Sequence, residues 1–202
     1  MLSALPRASK GHGMRAWLEA RDIDPQVADD AGVRFCGREF AQALAESHGQ
    51  TPCADLSTLA DLLAPYQRRR IGVVLYPYRL ASVLTAVKIA TVAPAHPPYN
   101  TFGRIEAPFL IDRMEDGAVV ICGGEPEALV ARSSGLTAVG LPGIWLWRDE
   151  LTRFFAGRSV SLAIRPPANE QARSHIEKKI LSILDVFNAA GQPRPAWRWV
   201  AE

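Results

Sequence analysis

Apolar residues in this chain fall in short blocks, and their spacing changes character partway along. From Met14 to about Phe40 the pattern is helical. Trp17 and Leu18 form one apolar cluster, and after the start signal Asp24-Pro25, Val27 and Ala31 form another. A second helical stretch, Leu56 to Leu63, is expected to end before Pro65. Ile71-Gly72-Val73-Val74-Leu75-Tyr76 is β-branched and aromatic and reads as a strand, with Val83 to Val92 as its neighbour. Residues 93–108 hold Pro94, Pro97, Pro98 and Pro108 and read as an irregular connection.

Beyond that point strands and helices alternate. Ala118–Ile121 predicts a strand, and Pro126–Ser134 a helix with proline in its first turn. Thr137–Leu141 predicts a strand, Ile144–Phe155 a helix and Val160–Ile164 a strand. Asn169 is placed to cap a long helix that carries Ala172, Ile176, Ile180, Ile183, Leu184 and Phe187 on one face. Gly191 is placed to stop it, and Ala196–Val200 predicts a last strand. This alternation implies a parallel α/β sheet covered on both faces. The expected division is a flexible lead-in at 1–13, an N-terminal mixed α+β subdomain at 14–113 and a parallel-sheet domain at 114–202.

Composition narrows the class. A chain of 202 residues is large enough to bury a core without metal or disulfide staples. Hydrophobic residues at 48% and charged residues at 22% argue against wholesale disorder. A net charge of +2 does not force a polyanion-binding surface, although a local basic groove is compatible with it. Cys36, Cys53 and Cys122 are too scattered for a disulfide framework, and with His48 they give no zinc-ribbon spacing. No apolar run approaches the roughly 18 residues that would span a bilayer. The expectation is a cytoplasmic protein without a membrane partner.

The segment richest in chemistry is Val119-Val120-Ile121-Cys122-Gly123-Gly124-Glu125-Pro126-Glu127-Ala128-Leu129. A buried strand runs into a glycine pair, then acidic residues, then a helix. Ligands of open α/β sheets collect outside the carboxyl ends of the strands. Acidic residues there suit Mg²⁺, which takes oxygen ligands and one or two carboxylates. Equally, Glu125 and Glu127 suit the positive end of a helix with no metal at all.

These residues, followed by Gly135 and by Ala138-Val139-Gly140-Leu141-Pro142-Gly143, resemble the TOPRIM fold of primases, particularly the phage and plasmid type. The resemblance continues upstream. Trp17 to Pro25 and on to Gly32 is similar to the segment that opens the primase catalytic core. Ile71 to Tyr78 is similar to that core's first strand, and Lys88 falls near its basic strand. Downstream, Val160 to Leu184 is similar to the strand and helix that carry the family's paired aspartates. About residues 14–200 are covered. The resemblance implies a TOPRIM-like parallel sheet flanked by helices, behind a mixed α+β primase-core-like subdomain.

The departures bear on activity. The family's catalytic glutamate falls on Gly123, its paired aspartates fall on Pro167 and Asn169, and the glycine that usually follows falls on Ala172. In the family those carboxylates hold Mg²⁺, which neutralises phosphate charge. Glycine and proline supply no side-chain ligand. Arg165 adds a positive charge where the cation would sit, and two like charges about 4 Å apart cost on the order of 4 kcal/mol at an effective dielectric of 20. The expectation is therefore no metal at the usual place and no cofactor. If catalysis survives, a relocated Mg²⁺ site on Glu125, Glu127 and Glu170 would carry it, although Glu125 and Glu127 should point to different faces of their helix.

Basic residues suggest contacts that need no metal. Arg68-Arg69-Arg70 precedes the first predicted strand, and Arg79, Lys88 and Arg104 follow in the subdomain that, by resemblance, meets template. Arg70, Arg79, Lys88 and Arg104 are the candidate nucleic-acid contacts, with Tyr76, Tyr78, Tyr99 and Phe102 as candidate stacking faces or else core aromatics. Cys122 is expected in the core and His175 on an exposed helix face. Trp145, Trp147, Trp197 and Trp199 are expected to pack the sheet, with Trp197 and Trp199 on one strand face.

The function implied by resemblance is that of a primase-derived protein with a degenerate metal site. It would bind single-stranded or duplex DNA, or a replication partner such as a helicase or primase, in replication or mobile-element maintenance. The alternatives are an active metal-dependent primase or nuclease and a protein–protein adaptor without nucleic-acid affinity.

Overall fold

The structure is a computed structural model that describes residues 12–36, 61, 63–66, 72–92 and 99–200. The chain divides into two compact units, one of residues 1–78 and 83–104 and the other of residues 79–82 and 105–202. The division near residue 105 precedes the expected 113/114 boundary. Residues 105–113 count with the second unit because Phe109 pairs with Gly140, and Ala107 and Ile111 enter that unit's core.

In the first unit, α1 (His12–Glu19) and α2 (Pro25–Asp30) carry the two apolar clusters of the stretch read as helical, which ends at Asp30 and so short of the expected Phe40. The Asp24-Pro25 start signal opens α2 as expected, the Asp24 Oδ1 accepting from the Gln26 N–H at 2.7 Å. Gly32, at φ 74°, then turns the chain into β1 (Arg34–Cys36). Residues 63–66 are helical, so Pro65 lies inside the turn expected to end before it. Most of the predicted 56–63 helix lies outside the described residues.

The strands β2 (Val73–Leu80), β3 (Val83–Thr91) and β4 (Tyr99–Gly103) complete a sheet of order β1-β2-β3-β4. β4 corrects the expectation of an irregular 93–108 connection. Tyr99, Thr101 and Phe102 favour strand, and an edge position in the sheet tolerates flanking prolines. Val73, Leu75, Val87 and Ile89 pack with Cys36, Leu63 and Tyr66 on one face.

The second unit carries β5 (Val119–Cys122), α3 (Glu125–Ser133), β6 (Ala138–Gly140), β7 (Val160–Ile164), α4 (Glu170–Ala189) and β8 (Ala196–Trp199). Its sheet has the order β6-β5-β7-β8 with every pair parallel. Strand alternation sends Val119, Ile121, Val160, Leu162 and Ile164 to one face, where Ile180, Ile183, Leu184 and Phe187 of α4 bury them. Asn169 caps α4 as expected, accepting from the Ala172 N–H at 2.7 Å. Gly191, at φ 70°, ends it, and the Gln192 N–H returns to the Phe187 carbonyl at 3.0 Å.

The expected helix 144–155 is instead two short 3₁₀ turns, Ile144–Leu146 and Asp149–Phe155. Between them Trp147 and Arg148 are extended, which sends the Trp147 ring inward to within 5.7 Å of Phe187 and 6.3 Å of Phe155, centroid to centroid. The same break leaves Trp145 60% exposed, so it does not pack the sheet. Trp197 and Trp199 do, meeting edge to face at 5.4 Å against the core on the α4 side.

Helix α3 covers the opposite face over β5 and β6, burying Ala128 and Leu129. Close approach here depends on Gly140, where an added Cβ would sit 2.8 Å from the Gly124 carbonyl oxygen.

Candidate functional site

The carboxyl edge of the parallel sheet is where the candidate chemistry collects. β5 ends at Cys122, and the Gly123 N–H donates to the Ala163 carbonyl at 3.2 Å, so the turn stays attached to β7. Gly124 is the N-cap of α3, with Glu125 and Pro126 following. Glu125 is only 3% exposed. Glu127 takes the third helical position, from which a glutamate reaches back toward the N-cap residue. Its carboxylate lies close over Gly124, where an added Cβ would be 2.6 Å from Oε2.

The same carboxylate holds Arg165, the residue just past β7, with Nε to Oε1 at 3.3 Å. Glu127's side chain is 20% exposed and that of Arg165 54%, so the pair sits at the rim. Asn169 spends its side-chain oxygen on the α4 cap. Glu170 stands exposed at the start of α4.

These donors do not fit a divalent cation in the arrangement the resemblance implies. Gly123 and Pro167 supply no side-chain oxygen, the Asn169 oxygen is engaged, and Glu127 already faces a guanidinium. Among the described residues no three His, Cys, Asp or Glu side chains gather into a metal-holding group. Glu125, Glu127 and Glu170 are thus not brought together. Cys122 is not poised as a nucleophile at this edge. Burial, with the nearby Glu127 carboxylate adding to it, pushes the Cys122 thiol up to about 12.

The basic candidates spread over both units. Lys88 is half-buried on β3, opposite Thr101 of β4, and Arg104 is exposed just beyond β4. Arg79 is half-buried on β2 and counts with the second unit. Arg70 lies outside the described residues. Two of the stacking candidates fail, because Tyr76 and Tyr78 are 1% and 0% exposed. β2 is covered on both of its faces, a condition its near-continuous apolar run announces. Phe102 packs against the first unit's core.

Sequence reasoning missed Arg198. It lies on β8 beside Ala163 of β7 and lines, with Arg165 and Glu127, a groove of about 200 Å³. The signal was the two-residue alternation of the last strand, which puts Arg198 on the face opposite Trp197 and Trp199.

A four-stranded parallel sheet with helices packed on it, preceded along the chain by a separate four-stranded sheet unit, is the arrangement of the TOPRIM-type primase catalytic core. Solved structures bear this out. The chain is similar to a DNA primase domain from Pseudomonas aeruginosa, with a TM-score of 0.61 at 17% identity, over 98% of this chain and 68% of that one. It is similar to the DnaG primase catalytic domain bound to ssDNA, with a TM-score of 0.60 at 10% identity, over 100% and 68%. With the Aquifex aeolicus primase, zinc-binding and RNA polymerase domains, the TM-score is 0.57 at 16% identity. That match covers 88% of this chain, which spans about half, 48%, of the Aquifex structure. At these identities the likeness is one of fold. No protein-family model matches the sequence, and no curated protein matches it.

Proposed function

We propose that this protein is a primase-derived nucleic-acid binder whose TOPRIM metal centre has been lost, working in the cytoplasm in DNA replication or mobile-element maintenance. The observation that carries the reading is the 3.3 Å pair of Glu127 and Arg165 at the sheet's carboxyl edge. A guanidinium occupies the attention of the one rim carboxylate best placed to serve a cation. Phosphate contacts need positive charge and no metal, and Arg79, Lys88 and Arg104 are the candidate charges. The fold supports the same reading, since one structure that shares it is a primase domain bound to ssDNA. A helicase or primase would serve as its replication partner.

The test is a titration with labelled single-stranded and duplex DNA at two salt concentrations, with and without Mg²⁺ or Mn²⁺, assayed in the same tubes for nucleotide incorporation. The expected result is metal-independent binding that weakens with salt, without synthesis. Lys88→Glu and Arg79→Glu should each weaken binding and flatten the salt slope by about one unit. Metal-dependent synthesis or cleavage, lost in Glu125→Ala or Glu127→Ala, would replace this reading with that of an active enzyme on relocated carboxylates. Absence of DNA binding under every condition would favour a protein adaptor.

A further inference from the structure

Among the described residues of the second unit, Trp145 is the most exposed large apolar side chain, at 60%, and Leu146 beside it follows at 53%. Both stand just past the carboxyl end of β6, on the side of an open α/β sheet where ligands collect. A cavity of about 310 Å³ opens there, and its lining includes Trp145, Leu146, Trp147 and Arg148 and no acidic residue. That volume is at the small end of the roughly 300–1,000 Å³ of small-ligand sites. Two polar groups there lack full partners. The Trp147 indole N–H is buried without an acceptor, whereas buried indole N–H groups usually have one. Arg148 is exposed and is held in place by its Nη2, which donates to the Ile105 carbonyl at 2.9 Å. Unlike Arg165, it has no carboxylate partner among the described residues, so its charge is not neutralised.

We infer that this cavity takes one unpaired nucleotide, its base laid on the Trp145 indole and its phosphate held by Arg148. The inference rests on the nucleic-acid reading above and adds the place where a base is gripped. Each feature of the cavity excludes a different occupant. An apolar peptide side chain would fill it but leave the guanidinium charge and the indole N–H unanswered. An inorganic anion would answer the charge and leave Trp145 and Leu146 in water. Duplex DNA keeps its base faces stacked inside and could offer Trp145 only its backbone. An unpaired base with its phosphate meets all three needs: a flat π-face for Trp145, a ring nitrogen or carbonyl oxygen as acceptor for the Trp147 N–H, and an anion for Arg148. Stacking needs only a π-face, so the site tolerates any base.

The test measures the anisotropy of a short labelled oligo-dT strand titrated with the full chain. Trp145→Ala should weaken binding about tenfold or more at fixed salt without changing the salt slope, and Trp145→Phe should restore most of it. Arg148→Ala should weaken binding and lower the salt slope by about 0.7, as one lost phosphate contact on a single strand requires. A strand of abasic sites should bind the native chain and Trp145→Ala alike; an equal loss with that strand would make Trp145 a backbone contact and refute the stacking. Both side chains are exposed, so the melting temperatures of the variants should match that of the native protein. Oligo-dT binding that weakens in Lys88→Glu but ignores Trp145→Ala and Arg148→Ala overturns the inference and leaves the nucleic-acid reading standing. If the native chain binds no strand, that reading falls, and free dTMP decides the site. Quenching of tryptophan fluorescence that is lost in Trp145→Ala would identify a free nucleotide as the occupant, and absence of quenching would overturn the inference as well.

Discussion

The proposed loss of the metal centre can be tested by rebuilding it. Gly123→Glu and Asn169→Asp restore two carboxylates where the primase-core pattern places them, and Arg165→Ala releases Glu127. The backbone accepts the first change, since a Cβ at Gly123 meets nothing closer than Ile164 Cδ1, at an ordinary 3.6 Å. The second keeps the cap of α4, because aspartate caps as well as asparagine. The third removes a partly exposed ion pair worth about 1 kcal/mol. A metal that binds only the folded chain stabilises it by RT ln(1 + [L]/Kd), about 2.7 kcal/mol at a hundredfold excess over Kd. For a chain of this length that corresponds to a rise in Tm of roughly 5–10 °C. Thermal melts with and without Mn²⁺ should show this rise in the triple variant and none in the native protein. A native Tm that climbs with Mn²⁺ by the same margin refutes the reasoning, since a working cation site would then exist on other residues.

Three further outcomes follow from the geometry. Asn169→Ala removes the 2.7 Å cap bond of α4 and should cost about 1 kcal/mol, read as a lower urea midpoint. Gly140→Ala drives a Cβ to 2.8 Å from the Gly124 carbonyl and should cost about 1–3 kcal/mol, whereas Gly123→Ala, with 3.6 Å of clearance, should be near neutral by the same measurement. Burial raises the Cys36 thiol to about 11 and the Cys122 thiol to about 12, from 9.0. The unfolded chain therefore releases these protons first, so stability present below about pH 9 is lost as pH rises toward those values; urea midpoints at about pH 8 and about pH 10.5 check it.

Much of the second unit was legible because its elements follow single physical rules. Val160–Ile164 is a largely buried, mostly apolar run of strand length, and the Asn169 cap with the Gly191 stop brackets α4. Parallel pairing followed from the alternation of strand and helix. What stayed hidden depended on partners distant in sequence. Trp147 turns inward for Phe155 and Phe187, and that breaks a helix which local propensity favours. Glu127 and Arg165 meet only because β5 and β7 lie side by side at a set register. In the first unit, the prolines before Tyr99 masked an edge strand, and Tyr76 and Tyr78 are closed off by packing on both faces of β2.

The parallel order β6-β5-β7-β8 also sets a sequence of events. No pair in that sheet can close through a tight turn, so each strand waits for a crossover to be ordered first. The shortest excursion joins Val120 to Ala138 through α3; far longer ones join Val119 to Val160 and Ser161 to Ala196. Loop-closure entropy and contact order then favour β5–α3–β6 as the first piece to assemble, with β8 added last. Destabilising changes in α3 would slow refolding, while those in β8 would chiefly speed unfolding. Amide hydrogen exchange should accordingly be faster on β8, the edge that carries Arg198, than on β5.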